Sequence, residues 1–164
     1  MTDPFNHSDP RTFWERLSRI CGESTYRLPV EAPGGSKVGQ VPAAHVLTQA
    51  LSYARQGTQD VGPDIAFDMV CQTTTYAGRV VRTVAEAMCQ DRARAVRRCR
   101  PWMRIVVWAA YATVVHNTRQ DQLRPSEMTA QDWDLLTEAA ERILLSLAEQ
   151  AVNRAERAFY ARAA

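Results

Sequence analysis

The strongest periodic pattern in the chain lies at its C-terminal end, where residues 129–161 read TAQDWDLLTEAAERILLSLAEQAVNRAERAFYA. Apolar side chains recur there every three or four residues, which places them along one side of an α-helix. They are Trp133, Leu136, Ala140, Ile143, Leu147, Ala151, Ala155 and Phe159. Thr129 followed by Asp132 resembles a capping box, with Asp in place of the usual Glu. We predict one helix over 129–161. At about 45 Å it is longer than a domain of this size is wide, so its end is expected to project or to pair with a second copy.

The segment before it predicts a helix in the middle of the core. Residues from Trp102 to Val115 are apolar nearly all round, interrupted by Arg104 and Thr113. A segment of this kind is a buried helix or a buried strand. Its alanines favour the helix, and so does Pro101, which suits a first helical position. We predict a buried central helix over 102–116.

Helical spacing also dominates the upstream sequence. A spacing of three and four residues runs from Ile65 to Met88 and predicts a helix of about 24 residues, which Thr73–Thr75 weaken locally. Shorter helices are expected at about 10–21 and 42–57. Prolines and glycines interrupt residues 22–41, which predict a small hairpin or a loop. The fold class is therefore all-α, with about five helices in a single domain spanning 1–164.

Composition limits the class of protein. The chain has 164 residues, of which 46% are hydrophobic and 23% are charged, as in an ordinary globular domain. Its four cysteines form no CxxC pair, which is typical of reduced thiols in an intracellular protein. Neither a signal peptide nor an apolar run of about 20 residues is evident. We expect a cytoplasmic protein with no membrane partner.

The basic residues are unusual in kind and in position. Of 20 basic residues, 19 are arginine. Residues 71–118 hold eight basic and two acidic residues, a net charge of +6, whereas 1–70 and 119–164 each carry −2. The predicted partner-binding residues lie in this basic segment: Arg92, Arg94, Arg97, Arg98, Arg100, Trp102 and Arg104. Guanidinium groups bind carboxylates and phosphates in pairs of hydrogen bonds and stack on aromatic rings.

A purely structural role for these arginines stays open at this point. Cations near the C-terminal end of a helix stabilise its last carbonyl groups. Some arginines could also pair with acids of the chain, and Arg82 with Glu86 has the spacing for such a pair.

No pattern in the sequence predicts catalysis. His7, His45 and His116 form no HxxxH or HExxH motif and no cluster with cysteines, so neither a metal site nor a cofactor is expected. No GxSxG elbow occurs. Asp64 and Asp68 share a helix face, as paired catalytic carboxylates would, but we interpret them as part of a solvated face. We therefore assign no catalytic residues and expect the protein not to be an enzyme.

The leading functional hypothesis is a helical regulatory protein that acts by protein–protein contact through the arginine-rich patch. Its partner would be an acidic protein surface or a nucleoprotein complex. The arginine bias and 24 alanines indicate a GC-rich bacterial coding source. This suggests a phage or mobile-element inhibitor of a host nucleic-acid-handling complex. The alternatives are a nucleic-acid-binding regulator that uses the same patch and a self-assembling structural protein, with a homodimer formed through the C-terminal helix.

Overall fold

The computed structural model describes residues 16, 48, 51–52 and 54–163 of the chain. In that part the fold is all-α, as predicted, and contains no strand. The helices are α1 (Gly62–Cys71), α2 (Ala77–Met88), α3 (Arg94–Cys99), α4 (Met103–His116) and α5 (Ala130–Ala163), with 3₁₀ turns at Arg100–Trp102 and Asp121–Leu123. None of the described helices is long and apolar enough to cross a membrane. The expected helix at 10–21, the hairpin or loop at 22–41 and most of the helix at 42–57 lie outside the described residues.

Helix α5 is the long C-terminal helix that the sequence predicts. The side-chain Oγ1 of Thr129 accepts a hydrogen bond from the backbone N–H of Asp132 at 3.1 Å, which caps the first turn. The buried stripe consists of Trp133, Leu136, Ala140, Leu144, Ala148, Ala151, Val152 and Ala155. It departs from the predicted stripe at Ile143, which is 37% exposed, and at Leu147, which is only partly buried. A spacing of three or four residues fits the row through Ile143 and Leu147 as well as the adjacent row through Leu144 and Ala148. Packing against α1 and α4 buries the second row.

Residues from earlier in the chain contact α5 near its C-terminal end. Arg154 donates hydrogen bonds to the carbonyl oxygen of Ala54 and to Oδ2 of Asp60, both at 2.8 Å. Two residues further on, Glu156 accepts the Nε–H of Arg16 at 2.7 Å. Contacts with earlier residues of the chain therefore reach as far as Glu156, and projection or pairing of the last turns of the helix stays a prediction. The sequence could not reveal this because the covering residues are distant in the chain.

The predicted continuous helix from Ile65 to Met88 is wrong, because the structure divides it into α1 and α2. Gln72 ends α1 with a left-handed backbone, at a φ of 53°. Its Nε2 donates to the carbonyl oxygens of Met69 at 2.7 Å and Val115 at 2.8 Å. Three consecutive β-branched threonines follow, and these residues have low helix propensity. The break therefore combines weak local propensity with hydrogen bonds that a straight helix would not form.

Helices α1 and α5 approach each other closely at Gly62. A Cβ atom at this position would lie 2.5 Å from the carbonyl oxygen of Leu147 and 3.2 Å from Cβ of Ala151. The separation of the two helices therefore depends on the missing side chain. This contact brings the covered part of α5 against the first turn of α1.

Helix α4 is the predicted central helix and packs against α1, α2 and α5. Its fully or almost fully buried side chains are Met103, Val106, Val107, Ala109, Ala110, Tyr111, Val114 and Val115. Pro101 does not begin it, as the sequence suggested, but lies in the 3₁₀ turn before it. The prediction of a helix that is buried nearly all round is wrong for one stripe, because Arg104, Ile105 and Trp108 are exposed.

Candidate functional site

The candidate site is the arginine surface, which we define by the predicted residues Arg92, Arg94, Arg97, Arg98, Arg100, Trp102 and Arg104. All six arginines are exposed to solvent. Trp102 is half-buried and packs against the hydrophobic core. The tryptophan therefore anchors this part of the chain, and the guanidinium groups face outward around it.

The short helix α3 determines which arginines point outward. Asp91 accepts the backbone N–H of Ala93 at 2.9 Å, a local turn that precedes the helix. The buried side chains of α3 are Ala95, Val96 and Cys99. Because these residues take the inner side of the helix, Arg94, Arg97 and Arg98 take the outer side.

Arg98 differs from the other arginines because it binds an acid of the same chain. Its Nη2 and Nε lie 3.0 and 3.2 Å from the two carboxylate oxygens of Asp132, so the pair is bidentate. The hydrogen bond from Arg98 lowers the pKa of Asp132, and the bond to Asp132 raises the pKa of Arg98. Arg98 therefore ties α3 to the first turn of α5. Asp132, the predicted acid of the capping box, uses its carboxylate for this contact.

The remaining arginines of the surface have no such partner. Among the residues that the structure describes, no carboxylate lies within ion-pair distance of Arg92, Arg94, Arg97, Arg100 or Arg104. Arg82 and Glu86 lie four residues apart on α2, a spacing that would allow an ion pair, but they do not form one with each other. Ion pairing, one of the two structural roles that the sequence left open, thus applies to Arg98 and, outside the surface, to Arg79. Arg79 lies 3.4 Å from a carboxylate oxygen of Asp64. The other role, stabilisation of the last carbonyl groups of a helix, stays open for Arg97 and Arg98 in the last turn of α3 and for Arg100 in the 3₁₀ turn.

A surface cleft of about 490 Å³ adjoins the arginine surface. It lies between the end of α2 and the start of α4 and is lined by Ala85, Glu86, Cys89, Gln90, Arg100, Pro101, Met103 and Arg104. Arg100 and Arg104 belong to one wall although the 3₁₀ turn interrupts the helix between Arg97 and Arg104. Glu86 of α2 and Gln90, which follows the helix, supply polar groups on the other wall. The cleft can therefore accept a group that carries negative charge toward α4.

Sequence reasoning missed two exposed apolar side chains beside this cleft. Ile105 is 38% exposed and Trp108 is 42% exposed. The missed signal is the position of Arg104: one turn of helix separates it from Trp108, so the two residues share a face. An exposed arginine on α4 therefore indicated that Trp108 faces outward as well.

The interpretation of Asp64 and Asp68 as a solvated face is wrong, because their side chains are 2% and 0% exposed. Asp64 binds Arg55, with Nη2 and Oδ1 2.7 Å apart. Asp68 accepts hydrogen bonds from the hydroxyl of Thr73 at 2.6 Å, from the backbone N–H of Tyr76 at 3.0 Å and from the hydroxyl of Tyr111. Buried carboxylates need such donors, so this pair stabilises the break between α1 and α2.

The chemistry that this arrangement offers is that of exposed guanidinium groups, which can bind carboxylates and phosphates. No group of three His, Cys, Asp or Glu side chains in the described part of the chain is arranged to hold a metal ion. The described cysteines, Cys71, Cys89 and Cys99, are free thiols, and burial raises the pKa of Cys71 and of Cys99. Compared with protein-family models, curated proteins and solved structures, the chain matches none of them.

Proposed function

We propose that this chain is a non-enzymatic helical binding protein that acts by contact between its arginine surface and a carboxylate-rich surface of a partner protein. The observation that carries the proposal is the set of exposed arginines that lack an ion-pair partner among the described residues. An ion pair formed across an interface, with water excluded, is stronger than one at an open surface. The free guanidinium groups are thus available to a partner at no cost to an existing ion pair.

A protein partner fits better than a nucleic acid for two reasons. The net charge is only +2, and nonspecific affinity for nucleic acid grows with the number of phosphates neutralised. In addition, Ile105 beside Arg104 is an aliphatic side chain, which packs against apolar protein surface but does not stack on a base. Arginine together with exposed tryptophan is typical of the residues that dominate protein–protein binding energy.

The biological class of the proposal comes from composition. A small regulatory protein from a GC-rich bacterial source, with this surface, fits a phage or mobile-element inhibitor that occupies a site on a host nucleic-acid-handling complex. Such a complex contains proteins whose acidic surfaces would attract the arginine surface. A cytoplasmic location is part of the same proposal.

The experiment captures the partner protein from a lysate of the proposed bacterial host cells, with three forms of the chain used as bait in parallel. The test variant replaces Arg97, Arg100 and Arg104 by Ala. The control variant replaces Arg142 and Arg157 by Ala, since both are exposed on α5 and lie outside the arginine surface. We expect the wild type and the control to retain the same partner and the test variant to lose it. Retention of that partner by the test variant would refute the proposal.

A nucleic-acid-binding regulator is the second candidate, favoured by the same arginines together with the exposed ring of Trp108. Duplex and single-stranded oligonucleotides titrated near physiological salt distinguish it from the first. Binding in the micromolar range, weakening linearly with the logarithm of salt concentration, would support this candidate. The absence of such binding excludes it.

A self-assembling protein is the third candidate. On α5, Leu135 is 51% exposed and Ile143 is 37% exposed, so this helix presents apolar side chains that a second copy could cover. Sedimentation velocity over a range of concentrations tests it directly. A strict monomer at the highest concentration would rule it out.

A further inference from the structure

One face of α4 combines apolar and cationic side chains that are all exposed. Arg104 and Trp108 are four residues apart, and Ile105 and Trp108 are three apart, so they form one stripe along the helix. Arg100 joins the stripe at its start through the shared wall of the cleft. We call Arg100, Arg104, Ile105 and Trp108 the basic–apolar face.

The solvent exposure of this face requires an explanation. Trp108 and Ile105 leave 42% and 38% of their surface in contact with water, within a helix whose other large side chains are mostly buried. Isolated apolar residues on a surface are common, but adjacent ones bordered by charge mark interaction sites. Arg104 lies next to Ile105 in the chain and one helical turn from Trp108, and Arg100 shares the lining of the cleft with Arg104. Neither arginine has an ion-pair partner among the described residues.

We propose that the basic–apolar face and its cleft bind an amphipathic helix of the partner protein that carries carboxylates beside large apolar side chains. The carboxylates would pair with Arg100 and Arg104, because guanidinium groups bind carboxylates through two parallel hydrogen bonds. The apolar side chains would cover Ile105 and Trp108. This inference rests on the proposed function and names the segment of the partner that the arginine surface recognises.

A helix is the form of partner proposed because the face is itself a stripe along one helix. Two helices packed side by side set the side-chain rows of one into the grooves of the other, so a partner helix can cover Arg104, Ile105 and Trp108 together. The opposite wall of the cleft also restricts the partner, since Glu86 repels a segment that is acidic on all sides. The fitting segment is therefore acidic on one side and apolar on the neighbouring one.

The test uses three fluorescein-labelled synthetic helical peptides of equal length. The first carries Glu and Leu on adjacent faces, the second keeps the Glu residues but has Gln in place of Leu, and the third keeps the Leu residues but has Lys in place of Glu. Binding to the 164-residue chain is measured by fluorescence anisotropy near physiological salt. We expect the first peptide to bind at least about tenfold more tightly than either of the others.

Variants of the protein locate the binding. Trp108→Ala and Arg104→Ala are each expected to weaken binding of the Glu–Leu peptide by about tenfold or more, as at an interface anchor. Leu135→Ala is the matched control for Trp108→Ala. Leu135 is 51% exposed on α5, outside the basic–apolar face, so its replacement should leave peptide binding unchanged. Arg142→Ala is the control for Arg104→Ala. All four side chains are exposed, so thermal unfolding should confirm that each variant remains folded.

Several results would overturn the inference, and those that concern only the apolar side chains or the helical form of the partner leave the proposed function intact. Equal binding of the Glu–Gln peptide would show that charge alone is recognised, which refutes the amphipathic partner but not the acidic one. Failure of all three peptides to bind, or unchanged binding by Trp108→Ala, refutes the inference. Tighter binding of a single-stranded oligonucleotide, lost in Trp108→Ala, would assign the face to nucleic acid instead. Self-association of the wild type that Trp108→Ala abolishes would assign it to a second copy.

Discussion

Asp68 and Tyr111 meet inside the core, where the hydroxyl of Tyr111 donates a hydrogen bond to Oδ2 of Asp68. The two residues are 43 positions apart and lie on α1 and α4. Burial, followed by the hydrogen bond to Asp68, raises the pKa of Tyr111 above its ordinary value. The phenol therefore remains protonated and donates its hydrogen to the carboxylate. This contact joins the central helix to the end of α1, next to the break that separates α1 from α2.

Removal of the Asp68 carboxylate should destabilise the fold strongly. Asp68→Ala leaves the donors of Thr73, Tyr76 and Tyr111 without an acceptor, and each buried unpaired group costs about 1–3 kcal/mol. We expect a loss of about 3 kcal/mol or more in the free energy of unfolding, measured with urea. Tyr111→Phe removes one donor and leaves Asp68 two others, so its loss should be about 1–2 kcal/mol.

Asp68→Asn is the variant that separates the hydrogen bonds from the side-chain volume. Its amide oxygen, placed where Oδ2 lies, can accept from Tyr76 and Tyr111, and its amide group can donate to the hydroxyl of Thr73. We expect it to retain most of the stability that Asp68→Ala loses. Equal losses for the two variants would contradict the role given to these hydrogen bonds.

Alanine at Gly62 should destabilise the protein although alanine favours a helix. The new Cβ would lie 2.5 Å from the carbonyl oxygen of Leu147, so α1 and α5 would have to move apart. Overpacking of this kind costs about 1–3 kcal/mol. The helix propensity gained is smaller than the roughly 1 kcal/mol of a helix interior, because Gly62 is the first residue of α1.

Gly78→Ala is the matched control for this prediction. Gly78 is exposed near the start of α2, and no atom lies within 4 Å of the Cβ it would gain. We expect it to be neutral or stabilising by up to about 1 kcal/mol. Thermal and urea unfolding should therefore show a loss of stability for Gly62→Ala and none for Gly78→Ala, and a stabilised Gly62→Ala would contradict the close contact between α1 and α5.

The arginine surface should contribute little to stability apart from Arg98. Replacing Arg97, Arg100 and Arg104 by Ala is expected to change the free energy of unfolding by no more than about 0.5 kcal/mol for each position, because they are exposed and form no ion pair with a described residue. Arg98→Ala removes the bidentate contact with Asp132, and because Arg98 is exposed and water screens the pair, the fall in Tm should be small. A large fall in Tm for the triple variant would mean that these arginines are structural.

The contact between Arg98 and Asp132 should make stability depend on pH in the acid range. The hydrogen bond from Arg98 lowers the pKa of Asp132 in the folded protein below its unfolded value of about 3.9. The contribution is therefore complete above the unfolded pKa and is lost as the pH falls through the lowered folded pKa. The difference in Tm between wild type and Arg98→Ala should be constant near neutral pH and shrink in strongly acidic buffer. A difference that grows on acidification would contradict this assignment.

Local patterns were sufficient where each residue depends mainly on its neighbours in sequence. The three-and-four spacing after Thr129 predicted α5, and the apolar run after Pro101 predicted α4. The arginine cluster was also visible, because charge can be counted along the chain. The same patterns could not separate Ile143 from Leu144, since both lie close to the buried side of α5 and only packing against α1 and α4 distinguishes them.

In the candidate site, too, some features follow from the sequence and others depend on tertiary contacts. The sequence located the arginines, but the division of roles among them depends on Asp132, which lies 34 residues beyond Arg98. The exposure of Trp108 depends on which side of α4 the other helices cover. The burial of Asp64 and Asp68 depends on donors brought from Arg55, Tyr76 and Tyr111.

The sequence by itself determined the helical class, the two C-terminal helices and the concentration of arginine between residues 92 and 104. These follow from helical periodicity, proline position and local charge, all of which act over a few residues. Only the tertiary structure decided where the helix after Ile65 breaks, that the far part of α5 is covered, and which arginines remain without an acid. Each of these depends on contacts between residues far apart in the chain, whose partners the pattern around either residue does not specify.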